Sequence, residues 1–290
     1  MTAVMRRGRT PEPKTPTDFG RVWTVARTDL KQLVQAKDFL LPLIALGSLF
    51  YIVVPTILLL TITQIGSVEV IGRVSEALEA LPESAESQIR GTSPQAQTGY
   101  ALSVFLFAPV AVIVPLTIST AVGAATIVGE RERGTGEFLA HSPASTREIY
   151  LGKLLASLIP GYITVAVGFG AYSLIVNLIV GPEVGGWFFP TAQWWIMILW
   201  VLPPFLAICL SLVLRLSARV SSTAAAQQAS GLVSLPLIMV AYSQATGVLF
   251  GAGYLPWIVG ALAWLGAWRG LRKGMRSVRR DRLLTVASGI

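Results

Sequence analysis

Long uncharged stretches alternate with short charged segments along the chain. The stretches that lack Asp, Glu, Lys, Arg and His cover 39–68, 91–129, 154–182, 184–214 and 220–268. Because a helix of about 20 apolar residues crosses a hydrocarbon core ~30 Å thick, four stretches hold one crossing each and the last is long enough for two. The pattern predicts an all-α integral membrane protein whose transmembrane domain covers 39–271. The six transmembrane helices are placed near 39–65, 100–128, 152–180, 192–214, 222–244 and 253–271.

Composition and charge distribution support this interpretation and set the orientation. Hydrophobic residues make up 53% of the 290 residues and charged residues 13%, against roughly 25% charged residues in soluble domains. With six crossings both termini share one side, and that side carries 21 of the 23 Lys and Arg residues. Since Lys and Arg in short flanking segments stay in the cytoplasm, we expect a multi-pass plasma-membrane protein with both termini cytoplasmic. The net charge of +8 is then a topology signal, and no nucleic-acid partner is needed to explain it.

The N-terminal and C-terminal segments are predicted to lie outside the bilayer. Residues 1–17, with three prolines among Arg and Thr, are typical of a disordered cytoplasmic lead. Apolar residues then recur at helical spacing over 18–38. This spacing predicts an interfacial amphipathic helix in the inner head-group layer; a cytoplasmic amphipathic helix packed on protein is the alternative. The basic cytoplasmic tail 272–290 is expected to contact anionic lipid head groups of the bilayer.

The external segment 66–99 is the largest one predicted on the outer face. Apolar residues from Val70 to Leu81 share a helical face opposite several glutamates, a pattern typical of an exposed amphipathic helix. This segment is interpreted as a cap over the spans, with a gate to an outer vestibule as the alternative. An aromatic belt at the outer bilayer boundary is expected from Trp187, Phe188, Phe189, Trp194 and Trp195.

The uncharged stretches leave the cores of the predicted spans without an ionisable side chain. This argues against a carrier driven by an ion gradient, because such carriers usually hold the ion on charged groups inside the membrane. The polar residues of the spans either form interhelical hydrogen bonds or line a path for a substrate. The candidates for path lining are Thr117, Thr120, Asn177, Gln227 and Gln244. Prolines such as Pro109 and Pro115 are expected to kink the helices and open cavities.

The sequence offers little for catalysis. It contains one His and one Cys, whereas a hydrolase needs a nucleophile with a base or a metal site with several ligands. A nucleotide-binding loop is also missing, because Leu154 follows Gly152 and Lys153 at the position where Ser or Thr is required. We therefore predict no catalytic residue, metal ligand or cofactor site in this chain, and the energy for any transport has to come from another protein.

The charged segment 129–149, between the second and third predicted spans, contains signals for the start and end of a short helix. Thr135 can cap a short helix, which Pro143 ends. Ser145 and Glu148 have the spacing of a capping box that starts the next helix. The result is a short helix held across the membrane surface between two spans. The alternative is a solvated inner loop whose charges only fix the topology.

The run ERERGTGEFLAHSPASTREIYLGK, residues 130–153, resembles the signature of ABC type-2 exporter permeases, the membrane subunits of ATP-binding-cassette exporters. It is most similar in style to the sodium-efflux-like and multidrug-like members, although Gly136 and His141 depart from the residues usual at those positions. The 13 matching positions among these 24 residues are Glu130, Arg131, Glu132, Gly134, Thr135, Glu137, Leu139, Pro143, Ser145, Glu148, Ile149, Gly152 and Lys153.

The resemblance implies that segment 129–149 is a cytoplasmic coupling loop whose helix lodges in a groove of a separate ATPase subunit. ATP and Mg would be bound by that partner, and a second permease copy or a sister permease would form a dimer with this chain. The expected function is a permease subunit of an ATP-driven exporter; an ATP-independent membrane carrier and a membrane scaffold or assembly subunit are the alternatives. The residues implied to contact the ATPase subunit are Glu130, Glu132, Gly134, Thr135, Glu137, Phe138, Leu139, His141 and Pro143.

Overall fold

The structure is a computed structural model, and it describes most of the chain as helices. The described residues are 16–65, 71–72, 76, 83–132, 142–217, 223–246 and 253–277. Within these ranges no β-strand is found, which confirms the predicted all-α class. The lead 1–15, residues 66–70, 73–75 and 77–82 of the external segment, and the tail beyond 277 lie outside the described residues.

The predicted amphipathic segment 18–38 contains a helix, α1, which covers Phe19–Gln35. Asp18 caps its start, since the Asp18 carboxylate accepts a hydrogen bond from the Gly20 N–H at 2.8 Å. The helix breaks at Ala36, whose N–H bonds back to the carbonyls of the preceding turn. The next helix therefore begins at Lys37, two residues before the predicted start of the first span.

The first span is helix α2, in which α-helical segments Lys37–Ser48 and Val54–Leu60 alternate with π-helical turns Leu49–Val53 and Thr61–Ile65. A short helix α3 follows at Glu83–Glu86. The second span, α4, is built from Pro94–Ala101, a π-helical turn Leu102–Leu106, and Ala108–Glu132. The remaining helices are α5 (Thr146–Ile179), α6 (Gly181–Val184), α7 (Ala192–Ile196, a π-helical turn Met197–Val201, and Leu202–Ser217), α8 (Thr223–Ala245) and α9 (Leu255–Ser277).

The helix of the second span begins earlier than the predicted span start near 100. α4 begins at Pro94, where Ser93 accepts a hydrogen bond from the Ala96 N–H at 3.1 Å and proline occupies the first helical turn. Both are strong helix-start signals. Residues 94–99 are therefore helical and continuous with the second predicted span, while the bounds of the external segment stay a prediction.

Four helical segments are long and apolar enough to cross a membrane: Lys37–Gln64, Pro94–Thr126, Thr146–Ile179 and Ala192–Leu216. They coincide with the first four predicted spans and support the assignment to membrane proteins. The helices α8 and α9 coincide with the fifth and sixth predicted segments, but their described residues do not satisfy the same length and hydropathy test. The count of six spans stays a prediction.

The centre of the bundle is α4. In its most apolar 18-residue window 78% of the residues are buried, against 22% for α2 and 28% for α5. α4 packs against α5, α7 and α8, while α1 lies on α5 and α9 lies on α7. The outer positions of α2 and α5 leave large apolar side chains exposed, as expected for helices that face lipid.

Part of the predicted aromatic belt lies in the core. Trp194 is 1% exposed and Phe189 is 4% exposed, and their rings contact each other with centroids 4.9 Å apart. Trp187 and Trp195 remain exposed at 70% and 48%. The assignment of Trp194 and Phe189 to the belt is therefore wrong, because their rings fill the space between α4, α5 and α7 instead of facing the bilayer boundary.

Two aromatic side chains donate hydrogen bonds to backbone carbonyls of α4. Pro115 has no N–H to offer the carbonyl of Ala111 one turn earlier, and the Tyr51 hydroxyl donates to that carbonyl at 3.2 Å. In the π-helical turn of α4, the carbonyl of Val104 instead accepts a hydrogen bond from the Trp194 indole N–H at 2.9 Å. Side chains of neighbouring helices thus satisfy backbone groups that would otherwise be costly in hydrocarbon.

This arrangement predicts a small, specific effect of removing the Tyr51 hydroxyl. Tyr51→Phe should lower the free energy of unfolding in detergent by about 0.6 kcal/mol and at most about 1.7 kcal/mol, the range measured for single hydrogen bonds inside membrane proteins. The control is Tyr162→Phe, because the buried Tyr162 hydroxyl has no hydrogen-bond partner among the described residues. Equal losses for both variants in denaturant titrations would show that the Ala111 contact is not responsible.

Candidate functional site

The α5 end of the charged loop meets α1 at one end of the bundle. α4 ends at Glu132 and α5 begins at Thr146, and residues 133–141 between them lie outside the described part of the chain. α1 packs along the first turns of α5. We call this region the loop anchor; it consists of Asp18, Arg21, Asp29, Thr126, Pro143, Ser145, Glu148, Gly152 and Lys153.

Glu148 joins the start of α5 to the start of α1. One of its carboxylate oxygens accepts the Ser145 N–H at 2.7 Å, while the Ser145 hydroxyl accepts the Glu148 N–H at 3.3 Å, so the capping box is present. The other carboxylate oxygen accepts the backbone N–H of Asp18, the N-cap residue of α1, at 2.8 Å. The carboxylate of Glu148 thus accepts backbone N–H groups at the starts of two helices. Glu148 is 1% exposed, so these bonds are made in the protein interior.

Arg21 ties α1 to the end of the loop itself. Its guanidinium donates a hydrogen bond to the Pro143 carbonyl at 3.1 Å and lies 3.9 Å from the Glu148 carboxylate. Pro143 as a residue is exposed, but its carbonyl oxygen accepts the hydrogen bond from Arg21. The last described residues before α5 are therefore fixed to α1 as well as to α5.

Lys153 is the buried cation of the loop anchor and joins three helices. It lies on α5, is 2% exposed, and its Nζ is 3.3 Å from the carboxylate of Asp29 on α1. The same Nζ donates to the carbonyl of Thr126 on α4 at 2.6 Å. Asp29 is also buried, at 8% exposure. Since an unpaired charge in such a place is costly, the pair is stable only while α1, α4 and α5 stay together.

Gly152 allows α1 to approach α5 this closely. A Cβ atom at this position would lie 2.6 Å from the Val25 Cβ and 2.9 Å from the Val22 carbonyl oxygen, both on α1. These separations are well below the ~3.5–4.0 Å at which carbon atoms attract each other. The Gly-Lys pair of the sequence signature thus has two structural functions here: the glycine provides space for α1, and the lysine binds it.

The start of α5 is also connected to α7 and α9. The hydroxyls of Tyr150 on α5 and Ser211 on α7 are hydrogen-bonded at 2.7 Å. Arg215 of α7 donates to the Gly270 carbonyl of α9. A Cβ at Gly274 of α9 would collide with the Tyr150 hydroxyl, so α9 crosses α5 closely at this point. These contacts therefore connect the start of α5 to α7 and α9.

The residues predicted to contact an ATPase subunit are placed only in part. Glu130 and Glu132 lie on the last turns of α4, where the backbone is described but the side chains are not. Pro143 lies in the loop anchor. The remaining predicted contact residues, Gly134, Thr135, Glu137, Phe138, Leu139 and His141, lie outside the described residues. Their role stays a prediction.

The candidates for path lining are dispersed over the bundle. Thr117 and Thr120 donate their hydroxyl hydrogens to carbonyls one turn earlier in α4, both at 2.8 Å. Gln244 is buried, and its side-chain oxygen has no hydrogen-bond partner among the described residues. The backbone of Gln227 lies in α8, where its side chain is not described. The role of these residues in lining a path stays a prediction.

Asn177 is accounted for by the fold. Its side-chain oxygen accepts the N–H groups of Phe188 and Phe189 at 2.9 and 3.1 Å, and its side-chain nitrogen donates to the Phe189 carbonyl at 2.6 Å. The buried amide thereby holds the connection between α6 and α7 against α5. These bonds explain a polar residue at this position without a substrate.

Asp29 is one of the loop-anchor residues that the sequence reasoning missed, together with Asp18 and Thr126. It follows Val22 and Ala26 on the buried face of α1, so an acidic residue at spacing i, i+4, i+7 on an apolar face was the available signal. The partner Lys153 is 124 positions away in the chain. No local pattern indicates which basic residue Asp29 would meet.

The comparison with protein families agrees with this arrangement. The sequence profile described as ABC-2 family transporter protein matches residues 23–256, which include α1 from Trp23 onward, the loop and the starts of all later helices. No curated protein matches the chain. Since the matched region covers well over half of the sequence, the chain belongs to the ABC-2 transporter family and is a permease component of an ABC transporter.

Proposed function

We propose that this permease is the membrane subunit of an ATP-driven exporter and that segment 129–149 couples it to a separate ATPase subunit. ATP and its Mg would be bound and hydrolysed in that partner. The proposal is supported by the family assignment and by the loop anchor, in which Pro143 is bonded to α1 and Thr126, near the end of α4, is bonded to Lys153. The observation that carries it is the contact of Lys153 with Asp29 and Thr126, which joins three helices directly behind the loop.

A coupling element needs a rigid base. If the loop were attached only through α4 and α5, a push on it would bend the two connections. The buried contacts of Glu148 and Lys153 instead make the ends of α4 and α5 and all of α1 one body. Closure of two ATPase subunits around ATP would then displace this body as a unit, which is the kind of rigid-body change that opens or closes transport paths.

The proposed topology has six spans, with α8 and α9 as the fifth and sixth. Both termini and the loop then lie in the cytoplasm, in agreement with the distribution of Lys and Arg. α1 would lie at the inner membrane surface, where Phe19 and Trp23 are exposed apolar side chains next to its packed face. A second permease, either a copy of this chain or a sister chain, would complete the path in the plasma membrane.

Docking of the loop is tested by replacing Phe138 and Leu139 together with Asp. The double variant should co-purify at least about tenfold less of a co-expressed ATP-binding-cassette subunit, since residues at the centre of an interface each contribute ~2 kcal/mol or more. The matched control replaces Leu283 and Leu284 with Asp, which makes the same chemical change in the predicted cytoplasmic tail. The control should retain the complex.

Two outcomes would contradict the proposed function. One is an unchanged complex, with unchanged substrate-stimulated ATP hydrolysis, in the Phe138→Asp, Leu139→Asp variant. The other is transport by the purified permease in vesicles that contain no ATPase subunit, which would identify an ATP-independent carrier.

A further inference from the structure

A narrow apolar groove runs between α1, α2 and α5 on the outside of the bundle. Its volume is about 330 Å³. Its walls include Leu33 and Val34 of α1, Leu40 to Ile52 of α2, and Pro160 to Gly168 of α5. Several wall residues are exposed, among them Val34 at 63% and Val167 at 67%, so the groove opens away from the protein core.

The groove walls present almost no polar group that needs a partner. The residues that line it include no charged side chain. The Tyr51 hydroxyl donates to the Ala111 carbonyl, and the Thr164 hydroxyl donates to the Pro160 carbonyl at 2.9 Å. The lining is therefore suited to a hydrocarbon occupant, and in a bilayer a concave apolar surface of this kind is filled rather than left empty.

The dimensions of the groove decide between a helix and a single hydrocarbon chain. The wall from Leu40 to Ile52 spans ~18 Å at 1.5 Å per residue, which is close to half of a hydrocarbon core ~30 Å thick. With its volume of about 330 Å³, which counts the space open to the centre of a water molecule of ~1.4 Å radius, the groove is ~7 to 8 Å across between its walls. A helix with side chains is ~10–12 Å wide. A polymethylene chain, whose carbon atoms approach neighbours at ~3.5–4.0 Å, fits this width.

The mouth of the groove is marked by a basic residue. Lys37 is exposed and begins α2. It precedes Leu40 and Ile44 by three and seven positions, so it shares their helical face and lies at the end of the groove toward α1. Asp38 is on the neighbouring position and points to a different face by the same spacing. A lysine at this depth favours an anionic lipid head group.

We propose that the groove is a binding site for one acyl chain of an anionic phospholipid, whose head group lies beside Lys37. The lipid belongs to the leaflet on the α1 side, since the groove begins at α1 and extends over one leaflet. It contacts α1, α2 and α5 together, and Gly47 and Gly168 are among the residues that line the groove. The site needs no ATPase subunit and is independent of the proposed coupling.

The test uses the full-length permease in phosphatidylcholine vesicles that contain a phosphatidylglycerol with a photoactivatable group in its acyl chain. After illumination, adducts mapped by mass spectrometry should concentrate on residues 40–52 and 160–168 and be several-fold fewer on the exposed apolar face around Leu178. Val167→Trp should fill the groove and remove most of these adducts. Its matched control is Leu178→Trp on the same helix, at the same 67% exposure, which should change nothing in the groove. Ile44→Trp, on the opposite wall, provides a second filling variant.

Lys37→Gln tests the head group. It should lower labelling by the phosphatidylglycerol probe about fivefold, corresponding to ~1 kcal/mol per basic residue near an anionic surface, and leave labelling by a phosphatidylcholine probe unchanged. Adducts spread evenly over all exposed apolar faces, or equal losses in Val167→Trp and Leu178→Trp, would overturn the site. Unchanged lipid preference in Lys37→Gln would overturn the anionic lipid. A disulfide between two copies of Ile44→Cys, with no lipid adducts in the groove, would show that a second copy covers it.

Discussion

Replacing Lys153 with Met should cause the largest loss of stability of any single change in the loop anchor. The variant removes the Lys153 ammonium from the buried Asp29 carboxylate, which is 8% exposed. Breaking a buried pair in this way costs about 3–5 kcal/mol, and the Thr126 carbonyl also loses its donor. Denaturant titration in detergent measures the free energy of unfolding, and hydrogen exchange of α1 should rise with the same change.

The double variant Lys153→Met, Asp29→Asn separates the charge effect from general damage. Because it also removes the carboxylate with which Lys153 pairs, it should recover most of the stability that Lys153→Met loses. Lys31→Met is the control for loss of a lysine, since Lys31 is exposed on α1, and it should have wild-type stability. A double variant no more stable than Lys153→Met would contradict the proposed importance of the ion pair.

Gly152→Leu should have the second largest effect. Even one added carbon would lie 2.6 Å from the Val25 Cβ, so the leucine side chain must force α1 away from α5. Overpacking of this kind costs ~1–3 kcal/mol, and we expect a value near ~3 kcal/mol because α1 is also held by Glu148 and Lys153. Loss of α1 contact should appear as increased labelling of a cysteine placed at Val25.

Gly170→Leu is the matched control for Gly152→Leu. Gly170 lies on the same helix, and a Cβ at this position meets no atom within 4 Å. The control should keep the stability of the wild type, since leucine is a better helix former than glycine by roughly 1 kcal/mol in aqueous helices. Similar losses in the two variants would show that α5 itself, and not its contact with α1, is damaged.

The membrane class and the positions of the long helices could be read from the sequence, because the length of an uncharged stretch is a local property. The start of the second-span helix could not be read from hydropathy, since residues 94–99 are polar enough to resemble a loop. The signal for it was a helix-start motif, with Ser93 as the N-cap and Pro94 in the first turn. The capping box of Ser145 and Glu148 was legible for the same reason, as its partners are three residues apart.

The contacts between distant segments were beyond sequence reasoning. Hydropathy gives Trp194 and Trp187 the same value, but only packing against α4 and α5 decides that Trp194 is buried and Trp187 is exposed. The second function of Glu148, accepting the Asp18 N–H, is equally invisible, since 130 positions separate the two residues. The loop anchor is therefore known from the structure, while the sequence indicated only that the loop was significant.

The break at Ala36 gives the first span a mechanical relation to the loop. α1 is joined to α2 through this single non-helical residue, while its other contacts hold it to the start of α5. Under the proposed coupling, a force applied at 129–149 would rotate α1 about that joint and displace the start of α2. The spans α2, α4 and α5 would then move together, although the loop is covalently bonded only to α4 and α5.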